Sequence, residues 1–169
     1  MKYFKFIIIA FLILQGCAFA SQFTAQDLEE WYYYNTEYIT DEAQFYYWEY
    51  YQSPTEFQDN KRGDCEDTSI HSNAILKVLG YRTSMYTIYF KEGAHAVTVF
   101  LDGGYYSIFS NGVILKTKEI DPVKAVEKIY PDWKMICKFK PTKYGKINIW
   151  NSLMSSSIIK WRFSFLIKE

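Results

Sequence analysis

The sequence predicts an α+β fold, and three observations carry that prediction. Helical signals dominate the first half, where charged residues interleave with aromatics from Asp27 onward and apolar residues recur at i, i+4 between Asp64 and Leu79. Strand signals follow in series, the clearest being the alternation in "AHAVTVFLDGGYYSIFS". Helices first and strands afterwards, with no βαβ alternation, describe N-terminal helices packed on an antiparallel sheet.

The segment before the first helix reads as a targeting signal. Lys2 and Lys5 precede an apolar run from Phe6 to Leu14, an n-region and h-region too short to span a bilayer. Two processing sites compete. Ala18-Phe19-Ala20 is an A-x-A site that leaves Ser21 first, whereas Leu14-Gln15-Gly16-Cys17 resembles a lipobox that makes Cys17 a lipidated first residue. Leu14 and Gly16 fit a lipobox and Gln15 is an unusual occupant; a triacylated cysteine anchors a protein stably. The expectation is a signal peptide over 1–20 and one exported domain over 21–169, with membrane contact through Cys17 if it is modified.

The stretch "DLEEWYYYNTEYITDEAQFYYWEYY" reads as two helices broken near Ile39-Thr40-Asp41, the second capped by Thr40 or Asp41. Its aromatics suit helix packing or a substrate-facing wall. Pro54 opens a short helical turn through Phe57, and "QDNKRG" is a polar loop. A helix then runs from Asp64 to Leu79, with Gly80 as its C′ residue. "YRTSMYTIYF" is a strand and "KEG" a turn. Asp102-Gly103 is read as a two-residue hairpin turn, which pairs Leu101 with Gly104 and sets His95 opposite Ser110. Asp121 and Pro122 start a short helix as N-cap and N1. "KMICKFK", "KINIW" and "IKWRFSFLIK" are further strands, the last placing Trp161, Phe163, Phe165 and Ile167 on one face.

Composition excludes some functions. Nineteen basic and nineteen acidic residues balance, with no long basic run, so nucleic acid is not an expected partner. About 150 residues after the signal make one domain with a real core. The 16 Tyr, 13 Phe and 5 Trp are unusual, because each buried tyrosine ring needs its hydroxyl satisfied at a core edge or a groove. Beyond Cys17 there remain Cys65 and Cys137, which could form one disulfide in an exported chain.

Context gives Cys65 a second reading. In "KRGDCEDTSI" it falls in the first turn of the predicted helix, where unpaired N–H groups and the positive end of the dipole favour a thiolate and could hold an oxyanion. Asp64, Glu66 and Asp67 push the other way; they either complement the dipole or bind Ca²⁺. His71, six residues on at about 100° each, faces away from Cys65. His95, on a strand between Ala94 and Ala96, has room for a helix end to approach and is the natural base, unless it is merely structural.

"SPTEFQDNKRGDCEDTS", followed by a helix ending "LKVLGY", a strand and "HAV", resembles the signature of bacterial transglutaminase-like cysteine peptidases. The resemblance runs from about Glu42 to Asn111 and extends loosely to Lys140. It implies a papain-like, transglutaminase-like α+β core and thiol chemistry on amide bonds of a protein or peptide substrate; with the signal, the protein is expected to be periplasmic or an outer-membrane lipoprotein. Carried over, Cys65 is the nucleophile and His95 the base; no cofactor is required, with Asp64, Glu66 and Asp67 as calcium ligands if the ion is used. Cys137 is then a small apolar residue. The family's acid position holds Ser110, in "IFSN". Serine can bond an imidazole but supplies no charge, so Asn111 is the preferred orienting residue, as an amide oxygen is the better acceptor and Gly112 lets the chain bend. The rival reading is a binding or exclusion lipoprotein that keeps the fold without catalysis.

Overall fold

The computed structural model describes residues 23–47 and 49–147. The signal, Cys17, the domain's ends and the strands expected beyond 147 lie outside the described residues.

Helix α1 (Ala25–Asn35) starts at a reciprocal capping box between Thr24 and Asp27, which satisfies two of its free N–H groups. A short strand β1 (Glu37–Tyr38) follows, then α2 (Asp41–Phe45). The second helix expected through Tyr51 is corrected here: it stops after five residues, where Tyr46 turns left-handed at φ 57°. Asp41 is the reason. Its carboxylate accepts the N–H of Tyr50, which draws the chain back on itself, and Thr40 makes no side-chain cap. Strand β2 (Tyr50–Tyr51) follows. Helix α3 (Pro54–Asn60) is capped by Ser53 and runs one turn further than expected, and β3 (Arg62–Gly63) then pairs in parallel with β1.

Helix α4 (Cys65–Val78) has Asp64 as N-cap and ends before Gly80, whose φ of +87° fits the expected C′ role. Four strands follow: β4 (Thr83–Tyr89), β5 (Ala94–Asp102), β6 (Tyr105–Ser110) and β7 (Val113–Lys116). Helix α5 (Pro122–Ile129) is capped by Asp121 as predicted, and β8 (Met135–Phe139) and β9 (Gly145–Lys146) complete the described chain, β9 pairing with β2. The main sheet is antiparallel throughout, in the order β7-β6-β5-β4-β8.

Strand alternation gives this sheet two buried faces. On one, Phe100 and Phe109 pack against Leu28, Tyr32, Phe57 and Leu76 of α1, α3 and α4. On the other, Val97, Val99 and Ile108 pack against Ala125 and Val126 of α5. Each fully buried Phe or Leu is worth about 1.5–3 kcal/mol. Thr98 Oγ1 donates to the Ser69 carbonyl at 2.8 Å, fixing α4 against β5.

The β5–β6 register differs from the expected one. Asp102 pairs with Tyr105 and Thr98 with Phe109, so the turn is Gly103-Gly104, not Asp102-Gly103. Both glycines have positive φ, 57° and 89°, as a two-residue turn of this hand demands. The slip is two residues, so every side chain keeps its face. Ser110 therefore lies diagonally across from His95 but on the same side of the sheet.

Candidate active site

Cys65 opens α4 in a crowded place. The Asp64 carboxylate accepts the N–H of Glu66 at 3.2 Å, and the backbone amide of Ala96, next to His95, lies on the Cys65 sulfur. Gly63 is required just before the helix: a Cβ there would come within 2.6 Å of Asp67 Oδ2 and 2.8 Å of Gln52 Nε2. The thiol itself donates to Glu66 Oε2 at 2.8 Å. Burial pushes the thiol far above its ordinary value; the Glu66 charge and hydrogen bond add to this, and the Ala96 amide opposes it. The helix end does not, by itself, make a thiolate here, because burial first, and then the neighbouring carboxylates, prevail. Cys65 and Cys137 are both free thiols, Cys137 being partly buried on β8, so no disulfide joins them.

His95 lies on β5, one residue before Ala96. Its Nε2 lies 2.8 Å from Ser110 Oγ, and Ser110 Oγ in turn accepts the hydroxyl of Tyr130 at 2.8 Å. The Tyr130 ring meets the imidazole edge-on, centroids 5.7 Å apart. Burial lowers the His95 pKa, so the ring is neutral at neutral pH. Among the described residues, no hydrogen bond engages His95 Nδ1. Ser110, not Asn111, is thus the neighbour that touches the imidazole. Asn111 and Gly112, with φ of 45° and 85°, form the two-residue turn between β6 and β7 and pair Ser110 with Val113. Asn-Gly between apolar runs is itself a strong hairpin signal and could have been read from sequence. Tyr130 was missed; it follows a helix end and nothing local links it to Ser110.

The three carboxylates expected to share a cation are sorted differently. Asp64 and Asp67 come together with Asp41, one ligand oxygen from each lying within 4.8 Å of the others, whereas Glu66 groups with Asp64 and Cys65. Asp67 is fully buried and accepts the backbone N–H and side-chain amide of Gln52 at 2.7 and 2.6 Å. Even so, burial pushes it up to about 8, with Asp64 and Asp41 adding to the shift. Burial, then the Asp64 charge, pushes Asp41 up to about 7. Asp41 Oδ1 is buried with no hydrogen-bond partner among the described residues; Gln44 Oε1, three residues on in α2, is another such acceptor. Clustered hard oxygens, one of them orphaned, fit a divalent cation. Asp41 was read from sequence only as a helix cap.

A model of the transglutaminase-like domain matches residues 17–130. The chain belongs to this family. The matched span of the transglutaminase-like domain runs from before α1 through Tyr130 and so takes in Asp41, Cys65, His95 and Ser110. Among solved structures the domain is similar to Legionella pneumophila LapG in three forms. The calcium-bound form is 22% identical, with TM-score 0.44, over 75% of this chain and 76% of that one. The EGTA-treated form is 21% identical, with TM-score 0.47, over 77% and 75%. A third is 23% identical, with TM-score 0.47, over 75% of each. No curated protein sequence matches the chain.

Two further features of the transglutaminase-like domain frame the site. His71 is fully buried away from it, between Tyr32 Oη at 2.7 Å from Nδ1 and Gln58 Oε1 at 2.8 Å from Nε2, against Trp31 and Phe57; burial lowers it to about 4. A surface groove of about 500 Å³ lies between α1 and the Asn111 turn, walled by Tyr33, Tyr34, Tyr38, Glu30 and Val113. The hydroxyl of Tyr38, one of the groove's walls, is pushed up to about 12 by burial and then by the charges of Cys65, Asp64 and Glu66.

Proposed function

We propose that this transglutaminase-like domain is an exported thiol hydrolase acting on amide bonds of a protein or peptide. The observation that carries the reading is the seating of Cys65 at a helix N-terminus beside Ala96, with His95 the preceding residue on β5 and its Nε2 held by Ser110. Cys65 is the nucleophile. Its proton passes to His95, the sulfur bonds to the substrate carbonyl carbon, and the backbone N–H groups of the first turn of α4 hold the oxyanion. His95 then gives that proton to the leaving amine, leaving a thioester that water cleaves. The tyrosine-walled groove is the approach for an extended chain.

Asp41, Asp64 and Asp67 would hold calcium, the choice resting on an all-oxygen donor set. Bound there, the ion supplies positive charge that offsets the carboxylates beside the thiol. Export rests on the basic, apolar and A-x-A or lipobox pattern of residues 1–20, and membrane attachment on Cys17. Mass spectrometry of the mature N-terminus separates lipidated Cys17 from a free Ser21.

The test is hydrolysis of a denatured-protein peptide mixture by purified protein with calcium, followed by mass spectrometry. New termini should form with the native protein and not with Cys65→Ser or His95→Gln. Cleavage that persists in Cys65→Ser overturns the reading. One observation favours the rival binding protein: the acid position holds Ser110 and the thiol is spent on Glu66. Absence of new termini in every protein, with iodoacetamide labelling of Cys65 no faster than that of a free thiol, selects that rival.

A further inference from the structure

We propose that Tyr130 is a positioning residue of the site, acting on His95 through Ser110. The inference rests on the reading of Cys65 and His95 as one unit.

Ser110 is a weak orienting partner by itself. A serine hydroxyl rotates freely and can both donate and accept, so it does not hold an imidazole in one state as a carboxylate does. Tyr130 removes that freedom. Its hydroxyl donates to Ser110 Oγ at 2.8 Å, which occupies one of the serine lone pairs and leaves the rest of that oxygen's capacity for His95 Nε2, also at 2.8 Å. The three groups come from α5's end, β6 and β5, and are seated separately. The Tyr130 ring packs on Phe90, with centroids 6.2 Å apart, and edge-on to His95 at 5.7 Å. Ser110 is pinned by its pairing with Val113, one step from the Asn111-Gly112 turn. Two uncharged hydroxyls in series thus stand where the family's pattern has a carboxylate. Chains of hydroxyls strengthen one another by polarisation, which a lone serine lacks. Burial raises the Tyr130 hydroxyl, its hydrogen bond with Ser110 lowers it, and the charge of Cys65 raises it further, so the thiol acts on the same hydroxyl that the 2.8 Å contacts tie to His95.

The experiment is a double-mutant cycle on Tyr130→Phe and Ser110→Ala, read by imidazole ¹⁵N spectra and by the rate of Cys65 alkylation by iodoacetamide. The chain has two histidines, and His71 in its separate box is the internal reference. Tyr130→Phe keeps the ring and its packing. It should move the His95 Nε2 resonance, leave His71 in place and slow alkylation by about 2- to 10-fold, the worth of one such bond. In the Ser110→Ala background the same change should do neither, because its effect travels through the serine. Tyr130→Phe that leaves His95 unmoved overturns the proposal, as does an equal effect in both backgrounds. Neither readout needs a peptide. If peptides are cleaved and Tyr130→Phe is silent, the relay alone fails; if no peptide is cleaved and the cycle is coupled, the hydrolase reading alone fails.

Discussion

The Cys65 thiol donates to Glu66 Oε2 at 2.8 Å and makes no hydrogen bond to His95 among the described residues. The nucleophile candidate is thus restrained by its own sequence neighbour. Glu66 is itself raised, by burial first and then by Asp64, so acid and thiol share one desolvated pocket.

Glu66→Gln removes the charge and keeps the shape. The thiol should then ionise at lower pH, and the midpoint of a pH–alkylation curve measured in EGTA should fall by about one unit or more. An unchanged midpoint would mean that burial alone sets the thiol.

The Asp41–Asp64–Asp67 cluster predicts a stability trend in the metal-free protein. Asp41 and Asp67 are raised to about 7 and about 8, from an unfolded value of about 4. Between those limits the folded state binds more protons than the unfolded one, so stability falls as pH rises from about 4 and the loss is complete above about 8. Calcium at about 1 mM should raise Tm at pH 8 far more than at pH 5. Equal Tm with and without calcium at pH 8 counts against the cation site.

His71 acts in the opposite sense. Burial lowers it to about 4, so between about 6.5 and 4 the unfolded state takes up a proton that the folded state does not. That costs about 3 kcal/mol once pH is below 4. Saturating calcium keeps the acid cluster ionised and exposes this limb. The His71 ring signals should stay those of a neutral imidazole down to about pH 4; titration near 6.5 would contradict its burial.

Gly63→Ala should destabilise by about 1–3 kcal/mol through overpacking against Asp67 and Gln52. Because the clash falls on Asp67, the calcium-dependent rise in Tm should shrink as well. Thermal unfolding with and without calcium reads both, and a loss of stability with an unchanged calcium response would separate Asp67 from the cation.

The parts legible in the sequence were those that local chemistry decides. Asp64 as N-cap, Gly80 at the C′ position and Asp121-Pro122 at a helix start need only neighbours a few residues away. His95 and Ser110 fell on one face although the register was misread by two, since alternation survives an even slip. The choice of Asn111 over Ser110 as the imidazole's neighbour weighed amide chemistry above strand geometry, and the Asn-Gly turn decides otherwise. Asp41 and Tyr130 were not legible, because each meets the site across twenty or more residues of chain, Tyr130 to Ser110 and Asp41 to Asp64 alike. Short-range patterns carry no information about such meetings.

The uncharged Tyr130–Ser110 pair has one further consequence. An imidazole backed by a carboxylate has its basicity tuned from behind, and that tuning fades as salt is added. The hydrogen-bond partners behind His95 are dipoles, so salt finds no charge there to screen, whereas the charges of Glu66 and Asp64 add to the burial of the Cys65 thiol. The site is a one-handed electrostatic device: protons or a cation that neutralise those acids change the thiol's readiness, while the hydroxyls behind the imidazole act through hydrogen bonds that salt leaves alone.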